Sequence, residues 1–161
     1  MSEQPFYAQG LRFSCARCSC CCRHESGYVY LSENDLSRLA KEMGKEYNDF
    51  IETWCRWVPL DQRWERLSLK EKPGFDCIFW SDKDGNTGCS VYNARPLQCR
   101  AFPFWDSTVC SPSAWETAGT GCPGINNGDL HTREKIESFL RLLEEELIIG
   151  RRIPQNGAVP E

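Results

Sequence analysis

The chain has 161 residues, enough for one domain with a modest core of its own. Its 19 Lys and Arg against 23 Asp and Glu give a net charge of −4 with no basic run, which argues against a phosphate backbone as partner. Residues 1–10 carry no leader-like pattern and no segment approaches the roughly 18 apolar residues of a membrane span, so the expectation is a cytoplasmic protein without membrane or nucleic-acid partners. Its 11 cysteines are an odd number, and a reducing compartment keeps thiols free, so they read as metal ligands rather than a disulfide framework.

Residues 1–12 read as a lead-in. Cys15-Ala-Arg-Cys18-Ser-Cys20-Cys21-Cys22-Arg23 follows, a density of thiols that core packing does not explain. Cys15, Cys18 and Cys21 repeat the C-x2-C-x2-C run that wraps three corners of a [4Fe–4S] cluster, although zinc also accepts C-x2-C pairs. In an extended chain the adjacent Cys21 and Cys22 point to opposite sides and serve two centres, or Cys22 supplies a fourth corner. His24 follows directly and, with His131, is a possible alternative ligand.

Gly27–Leu31 alternates as a strand, and Ser32 with Asp35 opens a helix whose apolar positions run from Leu36 to Trp54, with Gly44 marking a kink or break. Cys55 lies beside that apolar face and reads as a buried thiol. Residues 56–72 suggest a strand or irregular hairpin. Phe75–Trp80 and Thr87–Tyr92 flank an Asp-Gly turn and form the clearest hairpin, bringing Cys77 and Cys89 to matching ends of paired strands.

Pro96 and Pro103 bracket Cys99 and Arg100. Arg23, Arg95 and Arg100, with Arg17, are placed to offset the charge of a thiolate-bound group. Residues 106–129, rich in Ser, Thr, Gly, Asn and Pro, read as a long loop holding Cys110 and Cys122-Pro-Gly. A last helix opens at Thr132, stops at Gly150 and is expected to pack against the first. The resulting fold class is α+β: one small domain with a β-hairpin, two main helices and a cysteine-ligated core over 13–150, followed by a flexible tail over 151–161.

Phe13-x-Cys15-x2-Cys18-x2-Cys21-Cys22-Arg23, Cys77, Gly88-Cys89-Ser-Val-Tyr92-x2-Arg95-Pro96-x2-Cys99-Arg100-x-Phe102-Pro103 and Cys122-Pro-Gly together resemble the bacterial YkgJ-like CxxCxxCC cysteine-cluster family. That resemblance implies a zinc- or iron-chelating domain with Cys15, Cys18, Cys21, Cys22, Cys77, Cys89, Cys99 and Cys122 as ligands. Cys20, Cys55 and Cys110 fall outside the shared set. A related motif in flagellin lysine methylase implies an iron–sulfur cluster, but no Gly-rich loop for a methyl donor is evident here. The readings are therefore an iron–sulfur cluster or zinc held by thiolates, a redox or protein-modification enzyme or accessory using a cluster, and a metallochaperone with an unidentified protein partner. No catalytic dyad is apparent.

Overall fold

The computed structural model describes residues 4–155, apart from His24, Asn86 and the side chain of Asp84. The fold is α+β, built from short helices and small antiparallel sheets around two hydrophobic clusters.

In α1 (Glu33–Met43), Ser32 and Asp35 form a reciprocal capping box that satisfies amides at the helix start. Gly44 ends the helix with φ 60, a left-handed conformation that costs glycine little, and α2 (Tyr47–Trp54) begins three residues later. The long periodic stretch is thus two helices broken at Gly44. Leu36, Leu39 and Phe50 are wholly buried, and truncating any of them to Ala costs about 2–5 kcal/mol.

The chain leaves α2 directly into β2 (Cys55–Pro59), which pairs with β3 (Trp64–Leu69). Asp61 Oδ1 closes their turn by accepting the Arg63 and Trp64 amides at 2.6 and 2.8 Å. Along the other edge of β3 lie two short segments end to end. Residues 29–31 bond to it through Leu31 N to Leu67 O at 3.1 Å and Leu69 N to Val29 O at 3.0 Å, and β7 (Gly150–Arg152) pairs with its first half. Arg151 and Arg152, read from sequence as the start of a tail, therefore stand in a sheet; residues 156–161 lie outside the described residues. The inner side of this sheet sends Leu31, Leu67, Leu69 and Cys55 into the first cluster with α1 and α2.

The Asp-Gly hairpin is shorter than its sequence suggests. Pairing is confined to β4 (Trp80–Ser81) and β5 (Gly88–Cys89), and Tyr92–Ala94 forms a 3-10 turn. Cys77 sits before the hairpin, joined to Glu71 by an isolated bridge. Leu97 N donates to the buried Asp35 Oδ1 at 2.9 Å, which fixes α3 (Leu97–Ala101) against α1.

Residues 106–129 are not a loop. They contain α4 (Asp106–Val109), α5 (Pro112–Gly121) and most of β6 (Ile125–His131). Ser111 caps α5 through the Ala114 amide, Pro112 occupies its first turn, and Trp115 anchors it in the second cluster with Phe104, Val109, Ile125 and Ile136. Small residues hid a helix whose stability comes from one indole and one cap. β1 (Leu11–Phe13) pairs with β6, so the lead-in is tied to the end of the cysteine-bearing region. The final helix, α6 (Arg133–Glu145), is capped by Thr132 and stops at Glu146 rather than Gly150. It packs on α3 and, through Ile136, Phe139 and Leu140, on the second cluster rather than along α1.

Candidate metal centre

The cysteine loop crosses between the two clusters. Arg17 and Ser19 take positive φ, 51 and 66, which wraps the chain tightly before the 3-10 turn Cys20–Cys22. Its far side is held by the Cys77 amide donating to Cys22 O at 2.7 Å. Its near side leans on Gly124, whose hypothetical Cβ would lie 2.2 Å from Ser14 O. Cys77 and Cys89 pack against the first cluster and Cys122 against the second, so thiols line the boundary between them.

Because the loop is helical at Cys21–Cys22, these thiols do not point to opposite sides. Their sulfurs stand 3.8 Å apart, within hydrogen-bond distance, and either can donate. The Cys21 pKa is drawn down by the hydrogen bond from Cys22, and that of Cys22 is pushed up by the same bond and by burial. Cys22 lies within electrostatic reach of Cys77 and Cys99. Cys99, on α3, is held protonated first by burial and then by the charges of Cys77, Cys21 and Cys89. Four chain segments thus send Cys21, Cys22, Cys77, Cys89 and Cys99 to one neighbourhood. On its outer side Cys18, Cys20, Cys21 and Cys122 influence one another.

Cys77, Cys89 and Cys122 share a local design. Burial raises each thiol, while amides ahead of it favour the thiolate: Phe79 and Trp80 for Cys77, Val91 for Cys89, Gly124 and Ile125 for Cys122. All five amides lie two or three residues beyond their cysteine. Trp80 N and Ile125 N donate to the Cys77 and Cys122 carbonyls at 2.9 and 3.1 Å, so these turns are closed by backbone bonds that also leave amide dipoles near a partly desolvated sulfur. Among the described residues, no three His, Cys, Asp or Glu side chains close on a single point as they stand. The donor chemistry of clustered thiols fits a metal.

The sequence-selected residues divide. Cys15 and Cys18 are exposed, Cys15 where the loop begins. Arg95 reaches Cys21, Cys89 and Cys99 and favours their thiolates. Its guanidinium lies 3.7 Å from the Tyr92 ring centroid, and that of Arg17 lies 3.8 Å from the same centroid, so the ring is sandwiched between them. Arg23 is turned to Asp76 at 3.1 Å and stacked on Trp80. Arg100 donates to Arg95 O at 3.1 Å, and its other charged neighbours are Arg38, Asp35 and Glu146. Cys55 is buried in the first cluster, and Cys110 bonds only its own helix at Ser107 O. His131 is engaged with Phe13 O at 2.9 Å, and His24 lies outside the described residues. Cys20, outside the selected set, is exposed, with its sulfur 3.9 Å from Cys18 O, and the contacts of Tyr92 with Arg17 and Arg95 appear only when the chain is folded.

Partly buried thiols, with the Arg95 guanidinium in electrostatic reach, line the boundary between the two clusters. Residues 14–123 match the CxxCxxCC family, described as "Putative zinc- or iron-chelating domain", and the chain belongs to that family. All eight sequence-selected thiols fall within the match. No solved structure matches the chain.

Proposed function

We propose that this protein chelates iron, held as an iron–sulfur cluster, through Cys21, Cys22, Cys77, Cys89 and Cys99, with Cys15, Cys18 and Cys122 as further donors. Residues 13–150 form the metal-binding unit. The observation that carries the reading is the convergence of thiols from four separate segments, two of which, at Cys77 and Cys89, lie in turns whose amides favour the thiolate. The C-x2-C-x2-C run and the surplus of thiols over a single tetrahedral ion support a cluster. When bound, such a cluster supplies one-electron transfer. Arg95 offsets the negative charge of the thiolates, the Phe79, Trp80 and Val91 amides stabilise the sulfurs, and the two apolar clusters keep water from the inner side.

Zinc is the second reading, favoured by the Cys21–Cys22 separation. Two thiolates on one tetrahedral ion with bonds near 2.3 Å stand about 3.8 Å apart, and these sulfurs are separated by 3.8 Å. Anaerobic purification with metal and acid-labile sulfide analysis and a visible spectrum distinguishes the two. Iron with matching sulfide and a broad blue-region band is the expected result. Zinc without sulfide replaces it with the second reading, and absence of both metals overturns chelation at this site.

A further inference from the structure

The outer face of the β2–β3–β7 sheet has no part in the thiol site, and it is unusual in composition. Directly opposed residues in antiparallel strands point to the same side. The registers Trp64↔Arg152, Val58↔Arg66 and Arg56↔Ser68, with the bridge Tyr30↔Ser68, place Arg56, Trp64, Arg66, Arg152 and Tyr30 on one face. Tyr28, two residues from Tyr30, joins them. Leu31, Leu67 and Leu69 point the other way, into the core.

These six residues form three guanidinium–aromatic pairs: Arg56 with Tyr28 at 5.2 Å from the ring centroid, Arg66 with Tyr30 at 5.8 Å, and Arg152 with Trp64 at 5.7 Å. The separations contrast with the close stacking at Tyr92, where Arg95 lies at 3.7 Å, and at Trp57, where Arg151 lies at 3.9 Å. On the outer face Tyr28 is 49% and Trp64 43% exposed, while Tyr30 is half-buried with its ring centroid 5.7 Å from that of Tyr28. Arg56 is paired with Glu71 at 3.4 Å, but among the described residues Arg66 and Arg152 have no carboxylate partner. A chain of net charge −4 thus gathers uncompensated positive charge where it also displays aromatic rings.

We propose that this face binds single-stranded nucleic acid, with bases stacking on Tyr28 and Trp64 and phosphates held by Arg66 and Arg152. A sheet face with rings and cations side by side suits unpaired bases, whose faces are free, and not a duplex, whose faces are stacked internally. An acidic peptide would use the guanidinium groups but leave the rings without partners. The expectation of no nucleic-acid partner rested on the lack of a basic run. The arginines come from three strands and become neighbours only in the sheet.

The test is fluorescence anisotropy of a labelled oligouridine of about twelve nucleotides with the full chain as purified. Expected is saturable binding with a log K against log salt slope of about −1.4, from two phosphates at about −0.7 each. The R66E/R152E double variant weakens binding at least about tenfold and flattens the slope to near zero. The Y28A/W64A variant weakens it about tenfold or more with the slope retained. Photocrosslinking of the oligouridine to the unaltered protein, mapped by mass spectrometry, places adducts on Tyr28 or Trp64 and needs no variant. Lack of saturable binding, equal affinity for duplex, or displacement by polyglutamate with Y28A/W64A unaffected overturns the proposal; the last marks an acidic-protein surface.

Discussion

Cys55 is buried and Cys99 half-buried, and their surroundings give them opposite prospects. Cys55 has apolar neighbours, and burial pushes its thiol from 9.0 to about 12. The folded state then holds a proton that the unfolded state releases, so this contribution to stability is complete below pH 9 and lost as pH rises through the folded value. Thermal unfolding of wild type and Cys55→Ala across that window is expected to show a shallower alkaline decline in the variant. Cys99 instead has other thiols and Arg95 beside it, so a metal cation replaces its proton with gain. Arg95→Gln is expected to weaken metal retention about three- to tenfold against a competing chelator, more at pH 6 than at pH 8, because the thiolates lose a favourable charge. Arg100→Gln, whose guanidinium donates to the Arg95 carbonyl and faces no thiol, should change retention less than Arg95→Gln does.

At the scale of elements, placement of the thiols depends on two backbone joints. Asp35 joins α1 to α3, accepting the Leu97 amide at 2.9 Å and pairing with Arg38 at 3.1 Å, in addition to capping its own helix. Asp35→Ala is expected to cost about 2–3 kcal/mol in urea unfolding, because a buried amide and a cap are both lost. Since α3 carries Cys99, bound metal per chain should fall with it. At the other joint Gly124 lies against Ser14 with no room for a Cβ. Gly124→Ala should cost about 1–3 kcal/mol and part Cys122 from the loop, read as slower metal uptake with the inner thiols intact.

These elements also mark what was legible. The capping box at Ser32 and the break at Gly44 are local chemistry and can be read in a line of letters. So can the Asp-Gly turn of β4–β5. α5 escaped because its composition is that of a loop, and its helical state depends on Trp115 finding Phe104 in the second cluster. The extent of α6 escaped for a related reason: apolar spacing continues past Glu145, but the chain must turn there to deliver β7 to β3. The thiols themselves were visible as spacing, whereas the separate surroundings of Arg23, Arg95 and Arg100 were not.

For the whole molecule, the thiol boundary is a seam between two cores, neither large. A metal that binds ligands from both acts as a cross-link, and binding to the native state alone adds about 4 kcal/mol when free metal exceeds its dissociation constant a thousandfold. Chelator treatment is expected to lower Tm and to accelerate amide exchange first around residues 14–22 and 122–131, while α1 and α2 retain protection. Uniform loss of protection would show that metal supports the whole fold and not the seam.

The pairing of Leu11 with His131 imposes an order on synthesis. The first thiols leave the ribosome long before the strand against which their loop closes, and at about 5–20 residues per second that interval lasts several seconds or more. Throughout it they are solvated, reduced thiols without their final neighbours. Metal delivered during elongation meets an unshaped ligand run, whereas metal delivered after residue 131 has emerged meets the seam. Correct loading is therefore an event of the finished chain, and premature oxidation in the run is the hazard that the topology creates.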